Sequence, residues 1–345
     1  MNKPALAGLL PHELNDLLVK ITGKPLPSFR SKQIRRWILN GAGDFSEMSN
    51  LPLALREELK EKSRLFSSHT SAEITDMDGT VKIQINLEDN NKIEAVILCD
   101  GKGRKTACIS TQAGCALSCV FCQTGSLGFK RNLLAAEMIE EFLLLKTKEP
   151  GISHIVIMGM GEPLLNLEEL RKAVNFFTDK EGMGISKKRI TLSTAGIADG
   201  IRDLADNGPE IRLALSLVSA RQTIREKLMP VAKTHPLPVL KQSLLYHQEK
   251  RKDRITLEMV LLKGINTCEE EADAIADFAH SLDVMINLIP WNPVLPASPG
   301  HEILQTPSNN ETMRFVSALE KRKLKTTLRM GKGRSISGAC GQLGS

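Results

Sequence analysis

The chain has 345 residues, of which 41% are hydrophobic and 25% charged, and its formal net charge is +6. This composition is typical of a folded globular protein and excludes extensive disorder. No apolar run approaches the roughly 18 residues that cross a bilayer, and the amino terminus lacks the apolar core of a signal peptide. We therefore expect a cytoplasmic protein without a membrane partner, with cysteines that serve as thiols rather than as structural disulfides.

Residues 1–66 are predicted to form a small helical domain. The segments "PHELNDLLVKI" and "SKQIRRWIL" repeat apolar residues every three or four positions, as amphipathic helices do. Basic residues gather in the second segment and mark a candidate RNA-binding surface, although short basic runs are more often solvated helix faces. They are Arg30, Lys32, Arg35 and Arg36. Residues 67–103 carry two alternating runs around "EDNNK", which predicts a connecting β-hairpin.

Residues 104–345 show a different pattern, in which short β-branched strands alternate with amphipathic helices. Six such units predict an α/β fold whose core is a partial parallel (β/α)6 barrel. The candidate strands are 106–111, 154–158, 189–194, 211–217, 255–262 and 284–290. In this architecture functional side chains lie on loops after the carboxyl ends of strands. The segments "CALSCVFC", "GMGEP", "STAG", "SLVSA" and "PWNP" all fall at such positions.

The segment "CALSCVFC" places Cys115, Cys119 and Cys122 within eight residues. A structural zinc site usually has four ligands, and no fourth Cys or His follows within the next 30 residues. Three thiolates can instead hold three corners of a [4Fe–4S] cluster and leave one iron open. The spacing favours an iron–sulfur cluster over a zinc or redox site, and over three inert buried thiols.

Family resemblance supports the same interpretation. "CALSCVFC" resembles the CxxxCxxC signature of the radical SAM superfamily, and "GMGEP" resembles its glycine-rich segment, which lies along S-adenosylmethionine (SAM). The set "FRSKQIRRWI", "TQAGCALSCVFCQTGSLGFKRNL", "GMGEPLLN", "NLIPWNP" and "ACGQL" further resembles the RlmN/Cfr family of RNA adenine methyltransferases. The resemblance implies a [4Fe–4S] cluster and two SAM molecules per turnover.

The resemblance also implies a substrate and partners. The expected reaction is methylation of carbon 2 of adenosine in 23S rRNA and tRNA, by a monomer that receives electrons from flavodoxin or ferredoxin. Two alternatives stay open at this point. One is methylation of carbon 8, the antibiotic-resistance variant, and the other is an RNA-binding protein whose cluster is structural.

Three catalytic residues follow from matching positions in the family motifs. Cys340 matches the cysteine that carries the methyl group, and Cys108 matches the cysteine that resolves a covalent protein–RNA adduct. Glu94 matches the carboxylate proposed to remove the ring proton. By pattern alone each thiol is more often an ordinary buried cysteine, and Glu94 is equally compatible with a surface position.

Further matching positions are expected to contact SAM. They are Gly161, Glu162, Ser193, Ser216, Leu217, Val218 and Asn292. Hydroxyl and amide groups suit the ribose and carboxylate of SAM, and Glu162 can accept a hydrogen bond from its ammonium group. The chain departs from the family pattern at Val218, where relatives have His, and at Arg334 and Ser335, where they have acidic residues.

Overall fold

The computed structural model describes residues 3–101, 103–180, 182–294 and 304–344. Its amino-terminal helices are α1 (Pro11–Thr22), α2 (Ser28–Leu39) and α3 (Leu53–Lys62). In α1, a proline occupies the first turn, the Glu13 carboxylate accepts a hydrogen bond from the Leu10 amide at 2.7 Å, and Gly23 ends the helix with a φ of +68°. Helices therefore lie where the apolar periodicity predicts them.

A ten-stranded sheet forms the centre of the molecule, with the strand order β1-β2-β3-β4-β7-β8-β9-β10-β11-β12. The strands are β1 (His69–Thr75), β2 (Val81–Asn86), β3 (Lys92–Cys99), β4 (Lys105–Ile109), β5 (Gln112–Gly114), β6 (Phe129–Asn132), β7 (Ile152–Ile157), β8 (Ile190–Thr194), β9 (Arg212–Ser216), β10 (Ile255–Leu261), β11 (Val284–Pro290) and β12 (Thr326–Leu328). The β4, β7, β8, β9, β10 and β11 strands are mutually parallel, which confirms the predicted six-stranded partial barrel.

The sheet contains strands that were not predicted. The predicted hairpin is present as the antiparallel pair β2 and β3, but β1 pairs with β2 as well, and β3 pairs antiparallel with β4. The connector is therefore a three-stranded extension of the barrel sheet. Sequence analysis missed β1 because "HTSAEIT" is exposed along nearly its whole length and lacks an apolar alternation. It also missed β12, which has three residues and pairs parallel with β11.

Helices cover the outer face of the parallel strands. They are α5 (Ala135–Lys148), α6 (Leu167–Thr178), α7 (Ala198–Asn207), α8 (Gln222–Leu228), α9 (Leu237–Arg251), α10 (Glu269–Ala279) and α11 (Asn309–Lys321), and one further short helix, α4 (Gln123–Ser126), follows the cysteine segment. Phe142 of α5 and Phe177 of α6 are fully buried, with ring centroids 5.1 Å apart. No helix in these described segments is long and apolar enough to cross a membrane.

Strand alternation separates this outer core from the barrel interior. In β7, Ile155 and Ile157 are buried toward the helices, whereas Val156 lines an internal cavity. In β4, Cys108 lies between the buried residues Ala107 and Ile109 and lines the same cavity. Because side chains of a strand alternate between faces, a cysteine at this position of β4 must face the interior.

The amino-terminal helices are fixed to the barrel by polar contacts that involve Arg35. Its guanidinium group pairs with Asp179 at 3.0 Å and lies 5.0 Å from the centre of the Phe176 ring. Arg35 is 8% exposed, so it cannot contribute to an RNA-binding surface as the sequence suggested. Arg36 and Lys32 remain exposed on α2.

Candidate active site

The three cysteines of the predicted cluster lie on the loop that follows β4. Pairing of β5 with β6 closes the base of this loop, and the Cys115 amide donates to the Gly128 carbonyl at 3.1 Å. The Cys122 amide donates to the Cys119 carbonyl at 3.2 Å, which turns the chain between the two thiols. All three cysteines line one cavity at the carboxyl ends of the parallel strands.

The same cavity collects most of the predicted cofactor residues. Gly161 and Glu162 approach it from the loop after β7, Ser193 and Ser216 from the ends of β8 and β9, and Asn292 from the segment after β11. Cys340 completes the wall opposite these loops. Five of the six parallel strands thus deliver residues at or after their carboxyl ends to one space, as the barrel rule predicts.

Glu162 has a structural role in addition to any contact with SAM. Its carboxylate accepts hydrogen bonds from the Thr194 hydroxyl at 2.7 Å, the Ala195 amide at 2.8 Å and the Leu164 amide at 3.1 Å. Burial raises the pKa of this carboxyl group, and the three donors oppose that shift. A carboxylate has about four acceptor sites, so one site remains for a ligand. Glu162 therefore joins the loop after β7 to the loop after β8.

Cys108 and Cys340 line a second cavity, together with Met158, Asn292 and Arg329. It meets the larger cavity at Cys340, because that residue lines both. Both thiols are free. Burial, with a smaller contribution from Cys340, raises the pKa of the Cys108 thiol to about 12. Desolvation by the surrounding protein, with a smaller contribution from the charge of Glu258, raises the pKa of the Cys340 thiol to about 11. The residue is nevertheless exposed where it lines the cavities.

The tail that carries Cys340 is held by several hydrogen bonds. The Asn292 side-chain amide donates to the Cys340 carbonyl at 3.0 Å, and its carbonyl oxygen accepts from the Arg334 guanidinium at 2.7 Å. The Gln123 amide donates to the Gly341 carbonyl at 2.7 Å, directly after the cluster loop. Arg334, which departs from the family pattern, thus contacts a predicted SAM-binding residue.

Glu94 does not line either of these cavities. It is 3% exposed in β3, where its carboxylate pairs with Lys82 at 3.2 Å and accepts a hydrogen bond from the Gly344 amide at 2.7 Å. It therefore lies under the tail, bonded to Gly344, which follows Cys340 closely in sequence. Its role as a base remains a prediction.

Leu217 and Val218 also lie outside the cavities. Both are fully buried, and Val218 has a φ of +60°, which is unusual for a β-branched residue. The Val218 amide donates to the Glu258 carbonyl at 3.2 Å, and its own carbonyl accepts from Asn266 at 2.7 Å. Among the predicted contacts in this segment, the structure places only Ser216 at the cavity wall.

A buried arginine tests whether the residues around the cysteines fit an iron–sulfur cluster. Arg225 of α8 is fully buried; its Nε donates to the Leu217 carbonyl at 3.1 Å and its Nη2 to the Ala195 carbonyl at 2.6 Å. Within the described segments its Nη1 has no hydrogen-bond partner, and Cys119 is its electrostatic neighbour. A buried cation without a counter-charge is costly. An anionic cluster held by three thiolates would supply that charge, so the site fits the cluster.

Comparisons with known proteins agree with this geometry. A model of the radical SAM superfamily matches residues 109–279, and a model described as the ribosomal RNA large subunit methyltransferase N-terminal domain matches residues 5–65. A relative in Treponema denticola, named probable dual-specificity RNA methyltransferase RlmN, is 45% identical over 99% of this chain and 96% of its own length. A relative of the same name in Treponema pallidum is 42% identical over 99% and 97%. This chain belongs to the RlmN/Cfr family.

A solved structure resembles this chain over almost its whole length. A radical SAM methyltransferase from Sphaerobacter thermophilus superposes with a TM-score of 0.91 at 34% identity, and the match covers 99% of both chains. As a radical SAM enzyme, the protein uses a [4Fe–4S] cluster and SAM as cofactors. The three cysteines of the loop after β4, which line one cavity, stay the predicted ligands of the cluster.

The RlmN/Cfr site contains further residues that sequence analysis did not identify. Glu258 of β10 is 6% exposed and lines the larger cavity, and burial raises its pKa. Trp291 lines the same cavity and donates from Nε1 to the Phe121 carbonyl at 3.0 Å, which braces the cluster loop. A signal existed for Glu258, since a lone acid interrupts the apolar run "ITLEMVLL". Arg225 gave no signal, because its helix reads as a charged surface element.

Proposed function

We propose that this RlmN/Cfr chain transfers a methyl group from SAM to carbon 2 of adenosine in 23S rRNA and tRNA. The observation that carries the proposal is that Cys108 and Cys340 face one cavity, which meets the cavity of the three loop cysteines at Cys340. Direct displacement by a nucleophilic atom would need neither thiol. An adenine ring carbon is not such a nucleophile, so a thiol that carries the methyl group and a second that releases the product fit the arrangement.

The two thiols take different roles in this proposal. Cys340 is exposed to the larger cavity, so its thiolate accepts the methyl group of one SAM molecule. When bound, the cluster supplies the electron that cleaves a second SAM. Cleavage of the second SAM removes one hydrogen atom from the S-methyl group, whose carbon then bonds to the base. The Cys108 thiolate attacks the Cys340 sulfur and forms a disulfide; the electron pair of the broken sulfur–carbon bond stays on the carbon, which takes up a proton and becomes the methyl group of the product. An external thiol reductant then restores both cysteines.

Glu94 is proposed to remove the proton from the adenine carbon. Its carboxylate is 2.7 Å from the Gly344 amide and 3.2 Å from the Lys82 ammonium group, so two donors hold it in place beneath the tail. Gly344 belongs to the same tail as Cys340, so movement of the tail would break the Gly344 hydrogen bond and leave Lys82 as the partner of the carboxylate. The position of Cys340 would therefore affect how readily Glu94 accepts a proton.

The electron donor and the oligomeric state follow from the same site. We propose an external carrier such as flavodoxin or ferredoxin, since the cluster loop lies at the open carboxyl rim of the barrel. The enzyme acts as a monomer, because residues of one chain supply the cluster loop, both thiols and the proposed base.

The deciding experiment is anaerobic turnover with SAM, a strong reductant and a mixture of rRNA and tRNA, followed by mass spectrometry of the nucleosides. We expect 2-methyladenosine from the wild type and none from Cys340→Ala, while Cys108→Ala accumulates a covalent protein–RNA adduct. Cys268→Ala is the matched control, because Cys268 lines neither of the two cavities that contain Cys340. An 8-methyl product would contradict the proposed position of methylation. Bound but unmodified RNA, with an intact cluster and a Cys340 thiol that SAM leaves unmethylated, would indicate the RNA-binding alternative.

A further inference from the structure

A basic groove opens at the opposite end of the barrel from the cluster loop. It is formed where β4, β8 and β9 begin and where β12 ends, and it encloses about 450 Å³. Six cationic side chains line it: Arg104, Lys188, Arg189, Arg212, Arg329 and Lys332. One acidic residue, Asp100, lines it as well and pairs with Arg104 at 3.1 Å. The groove is therefore strongly electropositive.

Most cations of this groove are not neutralised by the protein. Three of them are exposed and, within the described segments, have no carboxylate at ion-pair distance: Lys188, Arg189 and Arg212. The neighbouring Lys187, which is outside the groove, pairs with Glu210 at 3.0 Å. Surface cations of folded proteins commonly acquire such partners, so a cluster without them suggests an anionic ligand.

His154 reports the electrostatic potential at the groove wall. Its side chain is half-buried in β7, and burial lowers its pKa. Arg104, Arg189 and Arg212 lower it further by repulsion, while Asp100 opposes them only weakly. Three cations from three different segments thus act on one point, which means that they converge rather than spread over a surface.

The groove leads to the methyl-carrying thiol. Leu98, Val156, Arg329 and Lys332 line both the groove and the inner cavity that contains Cys108 and Cys340. The three loop cysteines line neither of these spaces. An acidic electron carrier bound here would lie at the wrong end of the barrel to reduce the cluster, whereas an anionic substrate would lie on the way to Cys340.

We propose that this groove holds the RNA phosphates that flank the target nucleotide, while its base enters the barrel past Arg329. The inference rests on the proposed function, since it assumes that RNA is the substrate. Lys188 and Arg189 precede β8 and Arg212 begins the adjacent β9, and the backbones of neighbouring strands lie about 5 Å apart. This row contacts consecutive phosphates without reading the base sequence. The amino-terminal helices then act as a second, separate contact.

The test measures binding of the holoenzyme to a tRNA transcript over a series of KCl concentrations. The double variant Lys188→Gln/Arg212→Gln removes two proposed phosphate contacts. Each lost contact reduces the slope of log affinity against log salt by about 0.7 to 0.9, so we expect a reduction of about 1.5. The matched control is Arg314→Gln/Lys321→Gln on α11, which removes two exposed charges outside the groove and should leave the slope unchanged.

A second readout separates RNA binding from the chemistry at the thiols. Methylation of Cys340 by SAM needs no RNA, so the groove variant should retain it while kcat/KM for tRNA falls at least tenfold. An unchanged salt slope in the groove variant, with wild-type enzyme that methylates tRNA normally, would overturn the inference and leave the proposed function intact. A wild type that binds tRNA with the groove-dependent slope but never methylates it would overturn the proposed function and support the groove.

Discussion

At Arg225 the protein buries a whole guanidinium group and leaves Nη1 without a partner among the described residues. An anionic cluster beside Cys119 would supply the missing negative charge. Replacing this arginine with Gln keeps a hydrogen-bond donor and removes the charge, so electrons should enter the cluster less readily. We expect Arg225→Gln to lower the cluster reduction potential in an EPR-monitored titration, with iron content near that of the wild type.

Arg225→Lys is the informative control for this prediction. Lysine retains the positive charge but replaces the planar guanidinium group with a single ammonium group. The reduction potential of Arg225→Lys should therefore lie closer to the wild-type value than that of Arg225→Gln. Equal potentials in the wild type and Arg225→Gln would contradict the assigned electrostatic role. Loss of iron without any change in potential would show that the arginine only shapes the cavity.

Gly161 is a second position where one atom decides the geometry. Its φ is +100°, and a Cβ atom there would lie 2.5 Å from the Cβ of Gln112. Gln112 also accepts the Glu162 amide at 2.8 Å, so a displaced loop would lose that bond. We expect Gly161→Ala to weaken SAM binding roughly tenfold, measured by calorimetry, since strain of this kind costs about 1 to 3 kcal/mol. Gly184→Ala should have no effect on SAM affinity, because its φ is also positive, at +62°, but its surroundings are open.

At the scale of elements, Glu140 of α5 fixes the start of the connector. Its carboxylate accepts from the Ser67 and Ser68 amides at 2.8 and 2.9 Å, and from both hydroxyls. Glu140 is 1% exposed, so Glu140→Leu would leave buried donors unsatisfied. We expect a loss of about 2 to 4 kcal/mol in the free energy of unfolding, measured by urea denaturation.

The exposed Glu168 of α6 provides the comparison for this change. Its side chain is 85% exposed, and Glu168→Leu should alter the free energy of unfolding by less than about 0.5 kcal/mol. Equal effects of the two substitutions would mean that the hydrogen bonds of Glu140 do not stabilise the connector.

Some elements of the fold follow from local sequence patterns, and others depend on contacts between distant segments. The parallel strands and the loops after them were predictable, because β-branched runs and helical periodicity recur six times. The position of the three cysteines on one loop beside the barrel cavity was also predictable, while their role as cluster ligands stays a prediction. By contrast, Glu94 matched a motif, but its bonds to Lys82 and Gly344 depend on how the tail folds back over β3. The charged sequence around Arg225 predicts an exposed side chain for a similar reason. Its burial arises from packing between segments that are distant in sequence.

At the scale of the whole molecule, the tail joins parts of the protein that are distant in sequence. The Gly333 amide donates to Asp78 at 3.1 Å beside β2, and the Thr124 hydroxyl donates to the Leu343 carbonyl at 2.7 Å beside the cluster loop. Cys340 lies between these two attachments. The position of its thiol therefore depends on the connector, the cluster loop and the end of β11 together.

The two cavities that meet at Cys340 open toward opposite rims of the barrel, and this has a kinetic consequence. A ligand in the larger cavity can be exchanged while another remains in the groove, so neither has to leave first. RNA and the second SAM should then bind in random order to the enzyme that is already methylated at Cys340. S-adenosylhomocysteine should inhibit competitively against SAM and noncompetitively against RNA, whereas uncompetitive inhibition against RNA would require RNA to bind first and would mean that both ligands share one entrance.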